Sequence, residues 1–121
     1  MTEIRKLKLY DLEERTFAFA KNVRFFVRKL PKIAQNIEDG KQLVRASGSV
    51  GANYIEANES LGKKDFLMRI KISRKEAKEG RYWLGLIDVN NNPELEKERT
   101  TLIKESTELM NIFGSIVRKY E

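Results

Sequence analysis

Apolar residues recur along this chain at alternating spacings of four and three. The first series is Leu12, Thr16, Phe19, Val23, Phe26 and Leu30. It predicts one amphipathic helix over residues 11–30, about five turns long. Asp11, with Glu14 three residues on, reads as its capping box, and Pro31 as its stop. The second series, Leu43, Ser47, Val50, Tyr54, Ala57 and Leu61, predicts a helix over 36–61. Its start is Asn36 with Asp39 three residues on, or the residue after Gly40, and its stop is Gly62. Phe66, Ile70, Ser73, Ala77, Gly80, Leu84 and Ile87 give a third helix over 64–89. Asn90-Asn91-Asn92-Pro93 then forms a loop, with Asn92 as N-cap and Pro93 at the first helical position. The last series, Leu95, Leu102, Ser106, Leu109, Phe113, Ile116 and Tyr120, gives a helix over 93–120.

Nothing alternates with the period of a strand. Four long amphipathic helices joined by short loops predict an all-α chain, one antiparallel up-down-up-down four-helix bundle spanning residues 1–121. A repeat near 3.5 implies left-handed packing. The competing arrangement is three helices in a bundle with a splayed fourth.

The run Ser49 to Glu59, SVGANYIEANE, departs from a plain helical stripe. Ser47, Gly48, Gly51 and Ala52 fall on and beside the apolar seam, and Ser73, Ala77 and Gly80 fall mid-seam on the third helix. Glycine inside a helix costs up to about 1 kcal/mol against alanine, so a packing reason is expected. Small residues facing small ones let two backbones approach, either inside the bundle or between subunits. The half-polar flank, Asn53 and Glu56 with Glu76 on the third helix, is expected to cap or cross-link helices through hydrogen bonds.

Those carboxylates raise the question of a metal. Glu56, Glu59, Glu76 and Glu79 resemble a bundle-core ligand set, but di-iron bundles use Glu-x-x-His. This chain has no histidine and no cysteine. That removes the commonest general base, the usual zinc ligands and the thiol nucleophile. Carboxylates alone can ligate a hard cation, but Lys75, Lys78 and Arg81 would compete with it. No catalytic residue, metal or cofactor is expected. With no apolar run approaching the roughly 18 residues of a membrane span and no signal peptide, a cytoplasmic protein without membrane contact is expected.

The runs SVGANYIEANES and KKDFLMRIKISRKEAKEGRYWLGLI resemble the four-helix bundle family encoded in intervening sequences of bacterial 23S rRNA genes. The resemblance rests on Asn53 and Glu56 near the end of helix two, Lys64, Asp65 and Phe66 opening helix three, then Lys75, Glu76 and Ala77, and the aromatic pair Tyr82 and Trp83. DLEERTFAFAKNVRFFVRKLPK and FGSIVRK extend it over nearly the whole chain. Ala57 stands where the common form has glycine, which points to a divergent subgroup. The resemblance implies a bacterial protein without assigned activity that assembles into a ring, typically a pentamer. A related branch serves the reverse transcriptase of diversity-generating retroelements, where a basic pentameric barrel binds nucleic acid and the enzyme. By that likeness the partners would be further copies of the chain, RNA or DNA, and a reverse transcriptase.

Charge bears on the same question. The chain carries a formal +6, with 40% hydrophobic and 35% charged residues. The excess is concentrated in residues 1–32 (nine basic, four acidic) and 63–88 (eight basic, four acidic). Lys21, Arg24 and Arg28 line one face of helix one; Lys71, Arg74, Lys75, Lys78 and Arg81 do so on helix three. Basic stripes at helical spacing can track phosphates, or they can be solvated faces paired with nearby glutamates. Helices one and three are diagonal in a simple bundle, so only an assembly would combine the stripes. Tyr82 and Trp83 either stack bases or anchor an interface. Packing or interface roles are assigned to Gly48, Gly51, Asn53, Glu56, Glu76, Tyr82 and Trp83. The expected function is a non-enzymatic homo-oligomer that binds nucleic acid; the alternative is a protein-interaction scaffold.

Overall fold

A computed structural model describes the backbone of residues 2–121 and the side chains from Leu12 onward. The described residues form four α-helices: α1 (Thr2–Arg28), α2 (Ala34–Asn58), α3 (Lys63–Leu86) and α4 (Pro93–Tyr120). Each helix packs on its neighbours in sequence, and α1 also packs on α4, while α1 and α3 lie diagonal, as do α2 and α4. Cross-helix pairs run in opposite directions along each neighbouring pair; between α1 and α2, Thr16 meets Gly51 and Val27 meets Gly40, and between α3 and α4, Lys71 meets Glu121 and Arg81 meets Thr107. Asn53 meets Arg69, Arg45 meets Glu76, and Asn36 meets Asp88. Arg15 meets Glu105, and Lys29 meets Glu98. The bundle is therefore up-down-up-down.

The seam residues fill its centre. Phe19, Val23 and Phe26 of α1, Leu43 and Val50 of α2, Ile70, Ala77 and Leu84 of α3, and Leu109 and Phe113 of α4 are all buried. Each helix also places one serine or threonine hydroxyl in this seam, and each of these donates to a backbone carbonyl. Thr16, Ser47 and Ser106 bond within their own helices. Ser73 Oγ reaches across to the carbonyl of Val50 at 2.9 Å. That bond brings the backbones of α2 and α3 together, and these two helices pack most extensively.

The helix ends differ from the sequence expectation at several places; α1 stops at Arg28 rather than 30 and α3 at Leu86 rather than 89. The helix runs through Asp11 and back to Thr2, since neither glycine nor proline separates these residues; the Asp11 side chain lies outside the described residues. Asn36 is not a cap: α2 already starts at Ala34, and Asn36 is buried. Its Nδ2 donates to the carbonyls of Pro31 and Asp88, and its Oδ1 accepts from Asp88 N, tying the α1–α2 loop to the chain beyond α3. At the far end of α2 the helix stops at Asn58, so Leu61 is fully exposed rather than in the seam, and Gly62 is the N-cap of α3 rather than the terminator of α2. Tyr120, at the end of the last stripe, is also exposed, and Val117 takes the buried place. The α4 start follows the sequence: Asn92 Oδ1 accepts from the amides of Glu94 and Leu95, ahead of Pro93 at the first turn. Asn90 and Asn91 turn the chain with positive φ, which asparagine tolerates. No helix among the described residues is long and apolar enough to cross a membrane.

Candidate nucleic-acid interface

At about 100° per residue, Lys64, Lys71, Lys75, Lys78 and Tyr82 fall along one line of α3, and all five are exposed. Lys71 pairs with Glu121 at 3.4 Å. Lys75 and Lys78 make no ion pair among the described residues. Arg74 and Arg81, which the sequence placed in the same stripe, are half-buried and turn toward α4. The Arg74 stem lies over Gly114, and Arg81 donates to Thr107 Oγ1 at 3.4 Å. The Arg118 guanidinium of α4 also reaches Gly114.

The basic stripe of α1 has a different setting. Lys21 Nζ lies over the ring of Phe17 and the Arg28 guanidinium over that of Phe25, each 5.7 Å from the centroid. Arg24 donates to the carbonyl of Ala20. These side chains border an apolar groove between α1 and α2. Its upper part, about 380 Å³, is lined by Phe17, Gly48, Gly51 and Ile55; its lower part, about 640 Å³, by Val27, Ile37, Gly40 and Val44. Because α1 and α3 are diagonal, the two stripes do not share a face of one chain.

The packing residues separate as well. Gly48 and Gly51 face α1, not α3: a Cβ added at Gly51 would stand 2.9 Å from Thr16 Oγ1, and one at Gly48 would stand 3.2 Å from the Arg24 guanidinium. They lie one position past the seam residues Ser47 and Val50, and that rotation turns them toward α1. Between α2 and α3, Asn53 Nδ2 donates to Ser49 O while Arg69 donates to Asn53 Oδ1. Glu56, expected half-buried, is exposed on the outer edge of α2; only its backbone carbonyl is engaged, accepting from the Ser60 hydroxyl.

Glu76 is 7% exposed and accepts two hydrogen bonds from Arg45. The sequence reading surrounded Glu76 with cations of its own helix, but its partner comes from α2. The only basic residues between 33 and 62 are Lys41 and Arg45, and that scarcity was the available signal. Hydrogen bonding to Glu76 and partial burial, with the charge of Glu76, push the Glu79 carboxyl above the ordinary carboxylate range. Arg45's own hydrogen bonds to Glu76, with the charge of Glu76, hold its guanidinium still more firmly protonated. The described residues contain no group of three or more carboxylates placed to hold a metal ion. The aromatic pair divides: Trp83 is half-buried against the core, while Tyr82 is 62% exposed with its ring edge-on to Trp83, centroids 5.1 Å apart.

The chain is similar to a crystal structure of a protein with unknown function from the S23 ribosomal protein family of Bacteroides thetaiotaomicron VPI-5482. The two share 27% identity and a TM-score of 0.70, over 87% of this chain and 96% of that one. No curated protein matches the chain. The family model for the 23S rRNA-intervening sequence protein matches residues 7–115, and the chain belongs to that family.

Proposed function

We propose that this protein is a non-enzymatic, cytoplasmic homo-oligomer that binds RNA or DNA through the outer face of α3. The observation that carries the reading is the exposed line Lys71, Lys75 and Lys78, of which only Lys71 has an ion-pair partner among the described residues. Free lysines at helical spacing suit phosphates, whose neutralisation releases counterions. The lack of histidine and cysteine supports a binding role over catalysis. Assembly would multiply the α3 face and compensate for its modest charge. Light scattering at micromolar concentration should give several times the 14.1 kDa chain mass; a clean monomer would remove the oligomeric part of the reading.

The nucleic-acid part is tested by titrating a labelled oligonucleotide at two or more salt concentrations. Wild type should bind with little sequence preference and lose affinity steeply as salt rises. The double variant Lys75→Glu/Lys78→Glu should weaken binding on all sequences alike, whereas Lys104→Glu on α4 should matter much less. Absence of binding at low salt, or equal losses from both variants, would leave the scaffold reading. That second reading is favoured by one observation, the exposed apolar groove between α1 and α2.

A further inference from the structure

We infer that the α3 face takes single-stranded rather than duplex nucleic acid, with Tyr82 as the platform on which one base stacks; this rests on the nucleic-acid reading above. Tyr82 sits in the lysine line rather than beside it. Lys78 is four residues back and Lys75 seven, one and two turns along the same face, or about 6 and 10.5 Å at 1.5 Å per residue. The ring is 62% exposed and lies edge-on to Trp83, at an interplanar angle of 75°. Trp83 packs against the core, so it backs the Tyr82 ring and leaves less motion to be lost on stacking. Gly85, three residues further on, meets nothing within 4 Å at its Cβ position, so the space beside the ring is open.

The combination has a specific consequence. Lysines spaced along a helix neutralise the phosphates of any polynucleotide and cannot distinguish strand number. An exposed ring needs an unstacked base face, which a flexible single strand offers and a duplex keeps inside its stack. The other aromatics near cations do not offer the same site. Phe17 and Phe25 already carry Lys21 and Arg28 over their rings, and Tyr120 carries Lys119.

The experiment is fluorescence anisotropy at low salt with a labelled polyuridine strand of about 12 nucleotides, within the usual span of single-strand sites, and with an RNA duplex of equal length. The proteins are wild type, Tyr82→Ala, Tyr82→Phe and Lys75→Glu/Lys78→Glu, with helicity and subunit number checked for each. Tyr82→Ala should weaken single-strand binding between about fivefold and a hundredfold. It should change duplex binding less than twofold and leave the salt slope unaltered. Tyr82→Phe should keep wild-type affinity, since the ring and not the hydroxyl is used. A strand of the same length without bases should bind wild type no better than the polyuridine strand binds Tyr82→Ala. The inference is overturned if Tyr82→Ala leaves single-strand affinity intact, if it weakens strand and duplex equally, or if it changes subunit number, which would make Tyr82 a contact between copies. Loss of binding in the lysine variant with none in Tyr82→Ala would sink the stacking alone. No binding of either probe by wild type would sink the nucleic-acid reading and the stacking together.

Discussion

Two helices of this bundle carry basic stripes of nearly the same spacing, yet the stripes have different surroundings. On α1, Lys21 and Arg28 lie over aromatic rings and Arg24 over its own backbone. Together they border a groove whose lining is apolar and glycine-rich. On α3, Lys75 and Lys78 extend into solvent without an ion pair among the described residues, and the exposed ring of Tyr82 continues their line. Cation–π contacts at exposed sites are worth about 0.5–1 kcal/mol, so a phosphate must compete with the α1 contacts, whereas on α3 only Lys71, paired with Glu121, is held in an ion pair among the described residues. Spacing shows where charge is; what each charge already touches decides whether it is available.

The largest expected effect breaks or sustains that contrast directly. Lys75→Glu/Lys78→Glu should flatten the salt dependence by about 1.4–1.8 units of slope, on the scale of roughly 0.7–0.9 per lost phosphate contact. Lys21→Glu/Arg28→Glu changes net charge by the same amount and should leave the slope near wild type. Titrations at three salt concentrations check this. Equal flattening would mean that net charge alone governs binding and that the two stripes are equivalent.

The second effect concerns the glycines on the two faces. Gly51→Leu should destabilise the fold by about 1–3 kcal/mol, the usual cost of overpacking, because even a Cβ there meets Thr16 Oγ1 at 2.9 Å. Thr16→Ala should recover part of that loss in the double variant, a coupling readable by a thermodynamic cycle. Gly85→Ala on the open α3 face should do the opposite and stabilise, by at most about 1 kcal/mol, since neither a clash nor a positive φ opposes it. Chemical denaturation measures all three. A neutral Gly51→Leu would show that α1 does not press on α2 at this point.

Much of the fold was legible because the rule that encodes it is local. A spacing of four and three identifies the buried face of each helix wherever it begins, and the α1 series from Leu12 to Leu30 is buried at every position. What stayed illegible depends on partners far along the chain. Asn36 carries the residue type of a cap, but two of its hydrogen bonds run to Asp88, 52 residues further along the chain. Glu76 sits among cations of its own helix, yet its partner is Arg45 of α2. Gly48 and Gly51 were placed beside the seam by their register; which neighbour they would meet depends on how α2 is rotated in the bundle. Tyr82 and Trp83 are adjacent and aromatic, and only the position of the core separates the anchor from the exposed ring. The alignment of Tyr82 with Lys75 and Lys78 was readable from a helical wheel, although its exposure was not.

The smallest effect lies on the other side of α3, where acid rather than base is gathered. Hydrogen bonding to Glu76, desolvation and the charge of Glu76 raise the Glu79 carboxyl above the ordinary range, against the opposing pull of Arg45 and Lys75. A carboxyl raised on folding binds more protons in the folded than in the unfolded chain between the two pKa values. Stability from this group is therefore gained as pH falls toward the unfolded value and lost as pH rises through the folded one. Glu79 is 44% exposed, so solvent screens the effect and the gain is small. Glu79→Gln keeps the shape and removes the charge. It should raise the melting temperature slightly at neutral pH and flatten the fall in stability just above the ordinary carboxylate range. Its removal should leave the Arg45–Glu76 bond in place, since Glu76 accepts from Arg45 through both oxygens. Thermal melts of wild type and variant from pH 4 to 7 check the sign. A variant less stable than wild type at neutral pH would mean that Glu79 serves mainly as a second acceptor for Arg45, and that the acidic side of α3 is held by ion pairing alone.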